Sequence, residues 1–325
     1  MRPAVVLAFG VVCLIGVAVF VGDQPLPPLS VLGALWQSAQ TDPATAMIVS
    51  DVRLPRAVLA ALVGIALAVA GTITQAVMRN PLAEPGLLGI NAGAALAALI
   101  VLVWIPNVRA SWLPWAASGG ALIMASLIYA LSWRGGASSN RIILIGIGLS
   151  ALAGAGANFI SAFGDVQAVQ RAMVWLSGSL QDSRWVRAEV TALWLFLPVL
   201  LVWASARELD LLAYGDDTGR SLGQRVEVSR ALMIFACTLI SGAAVAAAGL
   251  IAFVGLIAPH LARRFTGPGH AEVLPLAAMI GACLVLAADT LGRTIIAPAQ
   301  LPAGLVAALI GAPFFGYLIW KRRDA

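Results

Sequence analysis

The sequence predicts an all-α protein that crosses a membrane about ten times. Three observations carry this prediction: the composition, the recurrence of apolar runs of spanning length, and the uneven placement of positive charge. Of the 325 residues, 61% are hydrophobic and 11% are charged, and the mean hydropathy is +0.94. Soluble domains carry roughly 25% charged residues. A water-soluble chain of this length could not cover so much apolar surface, whereas lipid removes the need to cover it.

Nine apolar runs are long enough to span a bilayer, since a helix needs about 20 residues to cross about 30 Å of hydrocarbon. The first run is longer than the roughly 7–15-residue core of a secretory signal, so it is interpreted as a membrane helix. The runs cover residues 4–22, 57–78, 87–105, 112–133, 142–162, 190–206, 228–249, 273–292 and 303–320.

A tenth, shorter apolar stretch runs from Leu250 to Ala262. Thirteen residues of helix measure only about 20 Å, so length alone leaves open whether it crosses. With ten crossings and a cytoplasmic N-terminus, 13 of the 20 Arg and Lys residues lie inside and 7 outside, whereas nine crossings give at best 11 and 9. The positive-inside rule therefore favours ten crossings, with both termini in the cytoplasm.

Small residues on two of the runs predict close helix packing, because they let helix backbones approach each other in lipid. The second run carries Gly64 and Gly71. The fifth run carries a small, partly polar stripe that fits either ordinary bundle packing or a face lining a translocation path. Its members recur every four residues: Gly146, Ser150, Gly154 and Asn158.

Several kinds of chemistry are excluded or disfavoured by the residues present. The only lysine, Lys321, is preceded by Trp320, so the Gly-Lys-Ser/Thr end of a standard phosphate-binding loop is absent. The two histidines lack a surrounding Cys or carboxylate constellation, and no metal site or nucleic-acid binding is expected. The acidic residues lie in loops or at helix ends. Asp289 is the exception, and its spacing to Arg293 predicts a local ion pair.

This distribution of charge indicates a transporter without its own coupling ions, which needs a separate ATPase. An ion-coupled carrier and a membrane scaffold or enzyme are the alternatives. Three stretches of the chain support the first interpretation because they resemble, in order and spacing, the FecCD-type permease family of ABC importers for iron-siderophores, haem and cobalamin. They are Arg53-Leu-Pro-Arg56 continuing to Arg79-Asn-Pro-Leu-Ala-Glu-Pro-Gly-Leu-Leu-Gly89, Leu209-Asp-Leu-Leu-Ala-Tyr-Gly215-Asp-Asp with Ser221-Leu-Gly223, and Gly249-Leu-Ile-Ala-Phe-Val-Gly-Leu-Ile-Ala-Pro-His260 with its downstream glycines and prolines.

The resemblance implies a type II ABC importer permease, with residues 1–325 forming one transmembrane domain in the cell inner membrane. It implies a second permease subunit, identical or homologous, a periplasmic substrate-binding protein, and two cytoplasmic ATPase subunits that carry ATP and Mg. The chain itself is expected to bind no cofactor and to catalyse no reaction.

The segment 207–227 is the longest charged inner loop, and its glycines allow turns between short helices. In the family such a segment fits a cleft on the ATPase. Tyr214 and Gly219 depart from the family's usual Leu and Ala, which affects the contacts expected there and not the role. The resemblance assigns this coupling role to Asp216, Asp217, Ser221, Leu222 and Gly223.

Arg53, Arg56 and Arg293 lie at outer helix ends, against the positive-inside bias. Guanidinium groups pair bidentately with carboxylates, and in the family the equivalent arginines receive acidic residues of the binding protein. Local pairing or contact with lipid headgroups is the alternative. If they dock the binding protein, charge reversal at Arg56 or Arg293 is expected to weaken docking and leave folding intact.

The sequence from Trp175 to Leu180, Trp-Leu-Ser-Gly-Ser-Leu, is more similar to iron-siderophore members of the family than to cobalamin members. It favours an Fe(III)-siderophore as substrate, with haem, cobalamin or another chelate as alternatives.

Overall fold

A computed structural model of the chain describes residues 2–36, 42–105, 108, 112–133 and 138–322, and helix dominates this part of the chain. One π-helical segment, Ile48–Arg53, joins α3 to α4, and another, Ile100–Trp104, extends α5. The α-helices are α1 (Arg2–Phe20), α2 (Pro28–Leu35), α3 (Pro43–Met47), α4 (Leu54–Met78), α5 (Ile90–Leu99), α6 (Leu113–Leu131), α7 (Ser139–Phe163), α8 (Val166–Leu176), α9 (Trp185–Ala204), α10 (Ala206–Tyr214), α11 (Asp216–Ser221), α12 (Val226–Ala248), α13 (Val254–Thr266), α14 (His270–Thr294) and α15 (Ala303–Arg322).

Ten helical segments correspond to the predicted crossings. Within the described residues, six helices are long and apolar enough to span a bilayer: the continuous stretch from α3 through α4, and α6, α7, α9, α12 and α14. Three shorter apolar helices follow the same pattern, Ala4–Phe20, Ile90–Trp104 and Ala303–Tyr317. The tenth is α13, a helix of 13 residues that overlaps the predicted short segment.

The bundle has two ends. We call them the outer end and the inner end, following the orientation that the positive-inside rule predicts. The outer end carries the start of α4 and the end of α14, and the short helices α2 and α8 belong to it. The inner end carries α10 and α11, which connect α9 to α12. If all ten segments cross, as the positive-inside rule predicts, both termini lie on the same side of the membrane.

Helix α4 is the central element of the bundle, packed by α9, α12, α13 and α14. In its most apolar stretch 83% of the residues are buried, against 17% in α7. Two close approaches explain this position. A Cβ atom built on Gly64 would overlap the carbonyl of Gly281 on α14, and one built on Gly71 would overlap the carbonyl of Gly255 on α13. The predicted role of these small residues is therefore confirmed.

The inner end of α4 is closed by a tight turn. Arg79 adopts the left-handed conformation at φ 51°, and the Asn80 amide donates to the Gln75 carbonyl at 3.1 Å. The Asn80 side-chain oxygen then accepts from the Leu82 amide at 2.9 Å. Pro81 disfavours helical geometry at the residue before it, so the chain leaves the helix here.

Several boundaries differ from the predicted ones. Helix α13 begins at Val254 and not at Leu250, because Gly249 and Phe253 both have positive φ and interrupt the helix between them. Helix α8 was not predicted, because its 11 residues are amphipathic and do not form an apolar run long enough to span a membrane. The segment 175–180 leads out of α8 and is packed tightly: a Cβ on Gly178 would overlap the carbonyl of Leu250.

Candidate functional site

The three arginines predicted to dock a binding protein converge at the outer end. Arg53 ends the π-helical segment, Arg56 lies in the first turn of α4, and Arg293 lies in the last turn of α14. All three are buried, with 3–5% of each residue exposed. They nevertheless line a shared cavity of about 240 Å³, together with Asp23, Gln181 and Gln300. We call this group of three arginines the arginine cluster.

Asp289 holds two members of the arginine cluster side by side. The Arg56 Nε donates to both Asp289 carboxylate oxygens, at 3.1 and 3.0 Å, and its Nη2 donates to Oδ1 at 2.8 Å. The Arg293 Nε lies 3.3 Å from Oδ2. The predicted ion pair between Asp289 and Arg293 is confirmed, and Arg56 is a further partner that helical spacing could not reveal. One carboxylate thus joins α4 to α14.

The same arginines also hold the end of α1. The Arg53 Nη1 donates to the carbonyls of Val19 and Phe20, at 3.0 and 3.1 Å, and the Arg293 Nη2 donates to the Ala18 carbonyl at 2.9 Å. These carbonyls belong to the last turn of α1, where a helix leaves acceptors without an internal partner and where cations are favourable. Three helices therefore meet at the arginine cluster.

The cavity at the arginine cluster has an excess of positive charge. Three guanidinium groups face the carboxylates of Asp289 and Asp23, so the formal balance is +1. Gln300 contributes an amide and accepts from the Arg56 Nη1 at 2.9 Å. A single carboxylate entering from outside would neutralise the remaining charge. The docking role stays a prediction.

The buried geometry changes the expectation for charge reversal. A glutamate in place of Arg56 would face Asp289 in a site where the present side chains are only 6% and 3% exposed. Like charges brought together without solvent disfavour folding. Reversal at this position is therefore a poor test of docking, since loss of function would follow from loss of fold.

At the inner end, α10 and α11 form a compact projection, which we call the inner tip (residues 206–225). Gly215 at φ 113° separates the two short helices, and Gly223 at φ 82° turns the chain towards α12. This matches the prediction of short helices joined by glycine turns in the segment 207–227. Both values lie where side chains other than glycine are strained.

The five predicted coupling residues separate into two groups. Four are exposed at the inner tip: Asp217, Ser221, Leu222 and Gly223. Asp216 faces the bundle and pairs with Arg230 of α12, at 2.6 Å between Oδ1 and Nη2. Asp216 therefore anchors α11, and with it the four exposed residues, to α12.

A second support of the inner tip was not predicted. Glu208 on α10 accepts from the Gln224 amide at 2.7 Å and from the Ser229 hydroxyl at 2.9 Å. Asp210 accepts from the His270 amide at 2.9 Å, which attaches α10 to the start of α14. These contacts join residues that are 16 to 60 positions apart in the sequence. Local spacing along the chain therefore could not predict them.

The predicted stripe on α7 does not lie on one face. Steps of four residues advance by about 40° around a helix of 3.6 residues per turn, so the stripe winds by about 120° over its length. Gly146 is buried against the carbonyl of Leu87, Ser150 and Gly154 are half-buried, and Asn158 is exposed. The first member is a packing residue, and the path-lining role of the others stays a prediction.

Residues 9–321 match the model of the FecCD transport family. The chain belongs to this family. As a FecCD protein it is the membrane-spanning permease of an ABC importer, and the all-α type II permease architecture predicted from the sequence is confirmed.

Two relatives and one solved structure illustrate the match. The achromobactin transport system permease protein CbrC of Dickeya dadantii is 43% identical over 93% of this chain and 86% of its own length. The hemin transport system permease protein HmuU of Yersinia pestis is 38% identical over 99% and 97%. A structure described as an inward-facing conformation of a metal-chelate type ABC transporter superposes with a TM-score of 0.86, at 28% identity, over 98% and 99% of the two chains.

No group of three or more His, Cys, Asp or Glu side chains that could hold a metal ion occurs among the described residues of this FecCD chain. The three cysteines are unpaired by disulfides, and Cys237 is fully buried between α12 and α4, where its thiol lies 3.5 Å from the Ala70 carbonyl. The arginine cluster and the inner tip offer charge pairing and exposed contact surface.

Proposed function

We propose that this FecCD permease, acting as one transmembrane domain, forms half of a path through which an Fe(III)-siderophore crosses the inner membrane. A periplasmic binding protein delivers the siderophore, and two separate ATPase subunits supply the energy. The observation that carries the proposal is the inner tip: a braced pair of short helices whose outermost residues are exposed.

The contact with the ATPase involves Asp217, Ser221, Leu222 and Gly223. Leu222 is 60% exposed at a cytoplasmic projection, where water would otherwise surround an apolar side chain. Tyr214, one of the departures from the family pattern, is 70% exposed in the same segment. Exposed apolar side chains on a braced support are suited to a hydrophobic cleft on a partner.

The contact with the binding protein involves the arginine cluster. Its cavity has room for an acidic side chain, and its excess positive charge favours one. Because the guanidinium groups are already fixed by Asp289 and by the end of α1, they need not lose rotamer freedom when a partner carboxylate arrives.

The path itself lies beside α7 and α15, opposite a second permease subunit. Helix α7 is the least buried of the long spans, and it exposes Leu144, Leu152 and Phe163. Helix α15 exposes Leu309 and Ile310. Apolar faces of this size suit a contact with another subunit or with lipid. A path with few polar groups suits a solute that is recognised by the binding protein and not by the permease.

The siderophore is favoured by the achromobactin permease, the relative with 43% identity. Haem is the second candidate, because the hemin permease matches this chain over nearly its full length. The segment from Trp175 to Leu180 contributes less than the sequence suggested. It packs against residues 249–251, which precede α13, so its residues are constrained by contacts within the chain as well as by any substrate.

Purification of the complex tests the energy source. We expect an ATPase subunit to accompany the chain from mild detergent, and the variant Leu222→Ala to reduce its recovery about tenfold. Val228→Ala, at an exposed apolar position on α12 near the inner end, is the matched control and should leave recovery unchanged. Equal recovery with both variants would count against a coupling role for the inner tip.

Docking is tested with substitutions that keep the charge opposite Asp289. Arg56→Lys and Arg293→Lys retain a cation but lose the planar pairing, so each should lower the affinity for a loaded binding protein by about tenfold. Arg171→Lys, an exposed residue of α8, is the control. If affinity is the same in all three variants, the arginine cluster is structural only.

Substrate identity is tested in proteoliposomes that contain the whole transporter and its binding protein. ATP-dependent uptake of a ferric siderophore, with haem and cobalamin taken up at background rates, is the expected result. Uptake of haem alone would assign the second candidate. Full uptake without the ATPase subunits, driven by an ion gradient, would refute the ABC mechanism for this chain.

A further inference from the structure

A cleft of about 660 Å³ opens between α6, α9 and α12 at the outer end. We call it the outer cleft. Its walls include Trp115 of α6 and Trp194 of α9, and its floor is formed by Ala243 and Ala247 of α12. The volume falls within the roughly 300–1,000 Å³ that is typical of small-molecule sites.

Two arginines lie at the rim of the outer cleft. Arg184 immediately precedes α9 and Arg187 lies in its first turn, and both are exposed. Among the described residues, neither side chain has an ion-pair partner. They differ in this respect from the arginine cluster, in which Arg56 and Arg293 pair with Asp289. Asp182 also lines the cleft, so the formal balance at the rim is +1.

The side chains around the outer cleft are of the kinds found where lipid headgroups meet acyl chains. Trp115 and Trp194 pack edge to face, with ring centroids 5.3 Å apart, and tryptophan is enriched at membrane interfaces. Further along the same helices, Leu193 and Phe196 of α9 and Ile123 of α6 are 65–76% exposed. Side chains this apolar are disfavoured in water, which favours lipid around the helix surfaces beside the cleft.

We propose that the outer cleft binds one anionic phospholipid of the outer leaflet. The phosphate lies against Arg184 and Arg187, and the upper part of one acyl chain lies along the tryptophan pair on the alanine floor. Basic residues above an apolar space between membrane helices match both parts of such a molecule. A bound lipid would contact α6, α9 and α12 at once.

The position of the outer cleft favours lipid over a protein partner. A docking protein approaches the end of the bundle, whereas this cleft is walled by two helices with lipid-facing side chains. The proposed path beside α7 and α15 involves other helices, since α9 packs on α4, α12 and α14. The lipid site is therefore independent of which solute the permease transports.

Native mass spectrometry of the purified transporter tests the proposal. The complex is exposed to equal amounts of phosphatidylglycerol and phosphatidylcholine, and the retained lipid is counted. We expect the natural chain to retain phosphatidylglycerol preferentially. In the double variant Arg184→Gln/Arg187→Gln the preference should fall by about 30-fold, or about 2 kcal/mol. Arg171→Gln, an exposed arginine outside the cleft, is the matched control and should behave like the natural chain.

Brominated lipid provides a second readout in nanodiscs. Phosphatidylglycerol with bromine high on its acyl chains should quench the tryptophan emission of the natural chain more than that of Trp115→Phe/Trp194→Phe. The same lipid in the double arginine variant should quench less than in the control. Both arginines are exposed, so their replacement leaves the core intact, and a monodisperse elution profile verifies this.

Equal lipid retention by the double variant and the control would overturn the proposal. So would quenching that does not depend on Trp115 and Trp194. A third result, lower affinity for the binding protein with unchanged lipid retention, would also overturn it and would assign Arg184 and Arg187 to protein docking.

Discussion

Replacement of Asp289 by asparagine removes one negative charge from a buried group of two cations. The carboxylate has four nitrogen–oxygen contacts of 3.3 Å or less, three from Arg56 and one from Arg293. Asparagine has nearly the same shape but keeps a single acceptor oxygen. Loss of one partner of a buried ion pair costs about 3–5 kcal/mol, because the remaining charge stays buried without compensation. Whole domains are stable by only roughly 5–15 kcal/mol.

The free energy of unfolding is the quantity to measure for this variant. Unfolding in mixed micelles with increasing denaturing detergent, followed by tryptophan fluorescence, gives it directly. Asp51→Asn is the matched control, since Asp51 lies at the same end of the bundle and is exposed; its effect should stay below about 0.5 kcal/mol. The double variant Arg56→Gln/Asp289→Asn removes a cation as well as the anion and should recover part of the loss.

Two results would refute this reasoning. A change below about 1 kcal/mol in Asp289→Asn would mean that water or relaxation already compensates the two guanidinium groups. A double variant that is less stable than Asp289→Asn alone would mean that packing, and not uncompensated charge, determines the loss.

Three further variants test the packing of α4 and the inner tip. Gly71→Ala should destabilise the protein by about 1–3 kcal/mol, because the new methyl group meets backbone of α13; Gly148→Ala, which has open space at its Cβ position, should change stability by less than about 0.5 kcal/mol. Asp216→Asn should lower the unfolding free energy by about 1–3 kcal/mol through loss of its charged contact with α12, whereas Asp217→Asn, fully exposed, should leave it unchanged. Leu222→Ala should lower ATPase stimulation by loaded binding protein, measured in nanodiscs, and leave the unfolding free energy unchanged; a stable, fully stimulated variant would contradict the coupling role.

The membrane spans could be predicted because lipid imposes a length and a composition on each crossing. The apolar runs at 142–162 and 273–292 lie within α7 and α14. The short crossing needed a second argument, the placement of positive charge, and its start was misplaced by four residues. Gly249 and Phe253 set that start through backbone conformation, and a phenylalanine with positive φ has no signature in the sequence.

The arginine cluster was predicted as a set of residues, but its geometry was not. Local spacing revealed the pairing of Asp289 with Arg293, because four residues make one turn. The pairing of Asp289 with Arg56 joins positions 233 residues apart. Their burial depends on α1, α4 and α14 meeting at one point, which no single segment specifies. The same limit applies to Glu208 and Arg230 beneath the inner tip.

Helix α4 is one continuous helix that connects the two ends of the molecule. Its 25 residues extend about 37 Å at 1.5 Å per residue. Arg56 lies near one end, and Arg79, just beyond the other, lies 3.8 Å from Asp216. Since glycine contacts leave no side-chain layer between α4 and its neighbours α13 and α14, the three helices cannot slide past one another without carbonyl overlap. A displacement at the outer end is therefore expected to reach the inner end as a tilt of the three helices together.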